Sequence, residues 1–160
     1  MEELDATDLA ILRLLQADGR MSHAELAQRV GLAGPTVQRR VRLLEERGYI
    51  RGYAALLDPI AVGLPVTAFI FVETHAGYDL HTVEEFLAGL PGVQEAHRLL
   101  GEWCFLLKAR AASPQALERL LYHDLRRHPG VRRTQTTMAT SSAIERPELP
   151  LPDLPLERQR

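Results

Sequence analysis

Arg39 and Arg42 stand one helical turn apart in the stretch GPTVQRRVRLLEERGYIRGY, residues 34–53. On a helix both guanidinium groups would emerge on one side. A guanidinium so placed can pair with phosphate oxygens or bridge O6 and N7 of guanine. Thr36 and Gln38 add a hydroxyl and an amide suited to backbone oxygens or base edges. On the same wheel Val37, Val41 and Leu44 point the other way, into a small core. Arg40 falls beside that apolar stripe and is expected to serve structure, pairing with Asp8 or Glu25. The chain as a whole has a formal net charge of −2, and residues 3–57 carry eight arginines against seven carboxylates. Near-neutrality argues against a general polyanion binder and for a local basic face. One such face would hold DNA weakly, so tight binding calls for at least two copies.

The elements that would position these residues follow from capping and periodicity. Asp5 can cap a first helix, with Asp8 at the positive end of its dipole, and Ile11, Leu12 and Leu15 on the apolar face. Gly19, in the sequence DGR, is expected to take positive φ where that helix ends. Ser22 and Glu25 form a capping box for a second helix, whose buried stripe is Leu26, Ala27 and Val30 and whose stop is Gly31. The third helix begins near Pro35, a first-turn position, with Gly34 as a weak cap, and Gly48 ends it. Helix, short turn and helix make a helix-turn-helix. YIRGYAALL then reads as a small wing with Arg51 near backbone phosphate, and Tyr49 and Tyr53 as packing residues.

Composition narrows the class. The chain has 160 residues, 46% hydrophobic and 25% charged, the makeup of a globular protein with one ordinary or two small domains. No apolar run approaches the roughly 20 residues of a membrane span. The acidic start MEELDATDLA lacks a signal-peptide pattern, and the single cysteine, Cys104, rules out an internal disulfide. A cytoplasmic protein without membrane contact is expected. Lys108 is the only lysine and asparagine is absent. That bias suits a G+C-rich genome, so position, not mere presence, must identify a functional arginine.

Residues 58–64 carry proline and glycine and read as a hinge. VTAFIFVET is a buried strand. Asp79 can cap a helix bearing Leu80, Val83, Phe86, Leu87 and Leu90. PGVQEAHRLL begins a second strand, Gly101-Glu102 is a turn, and WCFLLKARA is a third strand. Ser113-Pro114 starts another helix, with Leu117, Leu120, Leu121 and Leu125 on one face, and PGVRRTQTTMA is a fourth strand. The order β-α-β-β-α-β, with LPGV at 90–93 echoed by HPGV at 128–131, is the ferredoxin-like plan within an α+β chain. Its helices cover one face of the sheet. The other face needs a cover, and the simplest is the same sheet of a second copy.

From about Leu4 to Ile144 the chain resembles the Lrp/AsnC family of leucine-responsive, or feast/famine, transcriptional regulators. The resemblance lies in LDATDLAILRLLQADGR, SHAELAQRVGL, RVRLLEERGYIRGYAALLDP, GEWCFLLKA and HPGVRRTQTT. It implies a winged helix-turn-helix over 1–57, the hinge over 58–64, an effector-binding and oligomerisation domain over 65–144, and a Pro/Leu-rich tail over 145–160. It further implies a bacterial regulator that binds double-stranded DNA in a sequence-specific way as a homodimer, often assembled into octamers. Its DNA affinity or assembly would be tuned by a small molecule such as an amino acid.

Two departures from the family pattern bear on function. Ala33 stands where serine usually caps the recognition helix. Cys104 stands where the family commonly has an aspartate that would pair with the ammonium of an amino acid. Glu102, two positions away, could take that role, its side chain lying on the same side only if the strand is regular. The candidate effector residues are thus Gly101, Glu102, Trp103 and Cys104, with Thr134 and Thr136 offering hydroxyls. The histidines show no paired metal spacing, and no nucleophile-base set or phosphate loop appears, so neither enzyme activity nor a metal or cofactor is expected. Two alternatives share the plan. One is an enzyme like the siroheme decarboxylases, resting on His97-Arg98, and the other is a winged-helix module that binds protein. The tail ERPELPLPDLPLERQR is expected to run extended, its leucines docking on a neighbouring subunit.

Overall fold

The computed structural model describes residues 4–152 and divides into two compact units, the chain through Leu56 together with the chain from Glu145 on, and Leu57–Ile144. No helix among the described residues is long and apolar enough to cross a membrane.

The first unit holds α1 (Ala6–Ala17), α2 (His23–Val30) and α3 (Gly34–Glu46). Asp5 caps α1, accepting from the Asp8 backbone N–H at 2.7 Å, and the Asp8 carboxylate accepts from the Asp5 N–H in return. Ser22 and Glu25 close the same reciprocal box on α2. Each box answers backbone donors that the first helical turn cannot satisfy itself. Gly31, at φ +73°, ends α2 in the left-handed conformation that only glycine adopts freely. Gly48 does the same after α3, where the Ile50 N–H reaches back to the Leu44 carbonyl. Ile11, Leu12, Leu26, Val37, Val41 and Leu44 meet in one apolar cluster.

Three local expectations fail here. α1 ends on an extended Asp18, and Gly19 is not among the positive-φ glycines. The turn is made by side chain and backbone bonds at Asp18, which accepts from the Met21 and Arg20 N–H groups. α3 starts one residue earlier than expected. Its cap position is Ala33, which has no side-chain acceptor, and Gly34 is already helical. Finally, residues 51–57 pair with no strand, so the wing is a run of chain without a ladder. Tyr53 fastens it, its hydroxyl donating to Glu45 at 3.0 Å.

The tail returns to this unit. Gln16 of α1 donates to the Leu149 carbonyl at 3.2 Å and accepts from the Leu149 N–H at 2.7 Å. Arg13 donates to the carbonyls of Leu151 and Pro152, and Leu151 packs against the helical cluster. Residues 149–152 thus seat on the chain's own first helix, and residues 153–160 of the tail lie outside the described residues.

The second unit is a four-stranded antiparallel sheet in the order β2-β3-β1-β4, with β1 (Val66–Thr74), β2 (Val93–Arg98), β3 (Phe105–Ala111) and β4 (Val131–Ala139). Helices α4 (Leu80–Ala88) and α5 (Pro114–Arg119) follow β1 and β3, capped by Asp79 and Ser113. This is the expected βαββαβ plan. β3 is shorter than predicted, because residues 99–104 form an irregular turn. Ala68, Ile70 and Val72 from β1 and Phe105 and Leu107 from β3 alternate onto the helix-covered face.

α5 changes gauge along its length. A π turn over Leu120–Asp124 and a 3-10 turn over Leu125–Arg127 extend it. A plain α-helix would bring Asp124 under Leu120. The wide turn brings Leu125, five residues on, into the fully buried position.

The repeated PGV has a physical reason in each copy. Gly92 sits at φ +86°, and a Cβ there would lie 2.7 Å from the Arg110 carbonyl oxygen. A Cβ at Gly130 would lie 2.6 Å from the Tyr78 ring. The neighbour of Gly92 is backbone held by the Arg110 N–H donating to the Gly92 carbonyl at 2.8 Å, so it cannot move aside. Gly92→Ala is expected to cost about 1–3 kcal/mol, read as a lower urea midpoint at an unchanged slope.

Candidate functional site

α3 is amphipathic in the way a reading helix requires. Val37, Val41 and Leu44 are buried, and Thr36, Gln38, Arg39 and Arg42 are exposed. Pro35, Gln38, Arg39 and Arg42 line one shallow depression. Arg39 forms no hydrogen bond or ion pair among the described residues. Arg42 is held by Glu46, one turn along, at 2.7 Å, yet its side chain stays 77% exposed. Arg51 lies exposed on the segment after α3.

Arg40 plays the structural part. Its Nη1 reaches Asp5 and Asp8 at 2.7 Å each, tying α3 to the cap of α1. Glu25, the other expected partner, is engaged by Ser22. Desolvation pushes the Asp5 carboxyl upward, but the Asp8 backbone N–H and Arg40 outweigh it and hold the pKa below its ordinary 3.8. A depressed carboxyl stabilises the fold above its unfolded pKa, and that contribution vanishes as pH falls through the folded value. The head should therefore lose stability on acidification below about pH 4. In Arg40→Met this acid dependence should shrink, and stability at pH 7 should fall by about 1 kcal/mol, as measured by thermal melts across pH.

The candidate effector residues do not converge. Trp103 packs on Phe71 at a tilt, ring centroids 5.7 Å apart, on the sheet face that the helices leave open. The Arg133 guanidinium lies 4.4 Å above the Trp103 ring, and donates to Glu102 at 2.7 Å and Glu73 at 2.6 Å. Arg132 adds a second bond to Glu73, at 2.5 Å. The Arg133 bond, with the neighbouring arginine charges, holds the Glu73 carboxyl below its usual range. Cys104 turns the other way, packing on the core with its Sγ 3.2 Å from Thr74 Oγ1. Thr134 and Thr136 pair with Val72 and Ile70, so their side chains share the helix-side face with those residues. Glu102 and Trp103 thus belong to one surface, Cys104, Thr134 and Thr136 to the opposite side of the sheet, and Gly101 lies exposed in the turn before them.

Residues 4–51 match the family model for winged helix-turn-helix DNA binding, and residues 67–149 the model for the Lrp/AsnC ligand-binding domain. The leucine-responsive regulatory protein of Salmonella typhimurium is 39% identical over 138 residues, 84% of each chain. The chain belongs to the Lrp/AsnC family. An uncharacterised HTH-type transcriptional regulator of Pyrococcus abyssi is 37% identical over 139 residues, 87% of each chain. Among solved structures, a Neisseria meningitidis transcriptional regulator in complex with L-Met superposes with a TM-score of 0.87 at 34% identity, over 92% of this chain and 97% of that one. Escherichia coli AsnC superposes at 0.84 with 26% identity, over 91% and 97%.

This Lrp/AsnC protein is therefore a DNA-binding transcriptional regulator, and its two units carry the two halves of that function, the helix-turn-helix and the ligand-binding fold. The sequence reading missed Arg133, Glu73 and Phe71 on the open face of the ligand-binding fold. Period-two alternation holds the signal, since VRRTQTT places Arg133, Gln135 and Thr137 on one face and Thr134 and Thr136 on the other. The cross-strand partners Glu73 and Phe71 become visible only once the register is known.

Proposed function

We propose that this Lrp/AsnC regulator acts in the cytoplasm as a homodimer or larger ring, reading a roughly palindromic DNA site with α3 of each subunit. Arg39, Arg42, Gln38 and Thr36 supply base or backbone contacts and Arg51 a phosphate contact. The observation that carries this reading is the sorting of three neighbouring arginines. Arg40 is turned inward to Asp5 and Asp8, while Arg39 and Arg42 stay in solvent on the face away from the core. Dimeric heads would enter successive major grooves about 34 Å apart. The face opposite the helices, with Phe69 38% exposed beside Phe71, Leu106 and Trp103, is the surface for pairing sheets.

The effector is a small molecule of the amino-acid class, engaged from the Gly101-Glu102-Trp103 side. Arg133 and Glu102 offer a guanidinium and a carboxylate 2.7 Å apart, the complement of a zwitterion. The L-Met complex of the Neisseria relative supports the class. Cys104, whose side chain faces the core, takes no part in reading the ammonium group.

A gel shift on promoter DNA at several salt concentrations tests the function. Log affinity should fall linearly with log salt, by about 0.9 for each phosphate neutralised. Salt-indifferent or absent binding would remove the DNA-reading assignment and leave a protein-binding or enzymatic role. A rise in melting temperature with added L-methionine or L-leucine, absent in Arg133→Ala, tests the effector assignment.

A further inference from the structure

The tail contact is built from backbone recognition, and it reaches α1 from the far end of the chain. Gln16 uses both ends of its amide on one residue, donating to the Leu149 carbonyl and accepting from its N–H. A neighbouring strand would read the same two groups. Arg13 collects the carbonyls of Leu151 and Pro152. The two leucines are used differently. Leu149 is read through its backbone and its side chain is 69% exposed, whereas Leu151 packs its side chain on the helical cluster. Pro147, Pro150 and Pro152 fix φ at three of six positions, so little conformational freedom remains to be lost on docking. The same prolines donate no N–H, which matches a surface that asks for a donor only at Leu149.

Connectivity gives this contact a mechanical consequence. The chain leaves the helical unit after Leu56, builds the sheet unit, and comes back at Glu145. A body held at one point can turn about every axis. Held at two separate points, it turns only about the line joining them. We propose that the outer face of α1 is a docking surface for an extended Leu-Pro-Leu-Pro peptide, occupied by the chain's own residues 149–152, and that the seated tail is a second tether on the DNA-reading head, narrowing the half-site spacings the regulator accepts. The spacing half of this statement rests on the DNA-reading function above, and the docking half does not.

The full-length protein tests both halves. Between residues 147 and 152 only Glu148, Leu149 and Leu151 carry amide hydrogens. Hydrogen exchange at Leu149 should be slowed at least about tenfold relative to an isolated tail peptide, and Gln16→Ala should abolish that protection. Alanine is favourable in a helix, so this variant keeps the head folded. Unprotected exchange at Leu149 in the wild-type chain overturns the docking. DNA duplexes with two half-sites at native spacing, and with about 5 base pairs inserted, half a helical turn, test the tether. The insertion should weaken wild-type binding at least about tenfold. It should weaken binding of Leu151→Asp, or of a chain ending at Arg146, less than about threefold. Equal penalties for wild type and released tail overturn the tether. Loss of DNA binding by every form overturns the DNA-reading function and the tether with it, while the exchange result still decides the docking.

Discussion

Combining Arg39→Ala with Arg42→Ala is expected to abolish operator binding while leaving fold and assembly intact. Both side chains are exposed, and neither touches the buried cluster of Val37, Val41 and Leu44. Alanine has the highest helix propensity, so α3 should not weaken from the change. Among the described residues the structural bond lost is Arg42 to Glu46, an exposed i,i+4 pair worth about 0.3–0.5 kcal/mol. DNA binding, by contrast, loses two cations per head. A good bidentate contact carries about 1–3 kcal/mol of base discrimination, and a dimer loses it twice. The expected drop is about a thousandfold or more at fixed salt, together with a shallower salt slope. Of the single variants, Arg39→Ala should be the more damaging, because Arg42 must first exchange Glu46 for DNA. Fluorescence anisotropy with labelled operator measures the loss, and sedimentation checks the assembly. A double variant that bound within threefold of wild type would place the reading surface elsewhere.

Why is the outward direction of Arg39 and Arg42 legible in the sequence? The deciding signals are local. Val37, Val41 and Leu44 repeat at helical spacing, so the direction of Arg39 and Arg42 follows from the core alone. Capping is local as well, and Asp5, Ser22, Asp79 and Ser113 each accept the backbone hydrogen bond that their spacing implied. The Arg40 pairing with Asp8 spans 32 residues, but it needed only the assumption that α1 and α3 pack together. The strand order of the sheet domain follows from the alternation of elements and the repeated PGV.

What escaped the sequence depends on competition between distant groups. A helix can end through an Asp18 side chain as readily as through a left-handed glycine, and Gly19 gave no way to choose. The π turn in α5 exists because the core of the sheet domain prefers Leu125 to Asp124, a preference that lives in packing. Which face Thr134 and Thr136 occupy is a matter of register, since one step along β4 exchanges the faces. Arg133 takes its importance from Glu73, 60 residues away, and from the turn that delivers Glu102 and Trp103. The tail's seat on α1 joins residues 133 apart through a backbone that side-chain patterns do not advertise.

Phe69→Glu is expected to separate the subunits and, through that alone, to weaken DNA binding about a thousandfold. Phe69 is opposite Lys108 on β3 and Thr137 on β4, at the middle of the open face, with Phe71 and Leu106 as the next cross-strand pair. Sheets from two copies paired across a twofold axis would bury this centre against itself. Two introduced carboxylates would then be desolvated close together, an arrangement that apolar surroundings do not tolerate. Lys108 offers little relief, because its ammonium already donates to Glu95 at 3.2 Å. The fold itself should survive, since the helix-side core is built from Ala68, Ile70 and Val72 and does not include Phe69. A dimer grips DNA with two nearly neutral heads, each carrying a small basic face, and specific binding lies near 10⁻⁸ M or tighter for such regulators, by order of magnitude. One head alone should approach the roughly 10⁻⁴–10⁻⁶ M of non-specific contact, with about half the salt slope. Sedimentation equilibrium and anisotropy on one preparation of Phe69→Glu separate the steps. If the variant stays dimeric, the open sheet face is not the pairing surface. If it is monomeric and still binds operator like wild type, two copies are not what makes this mildly acidic protein hold DNA.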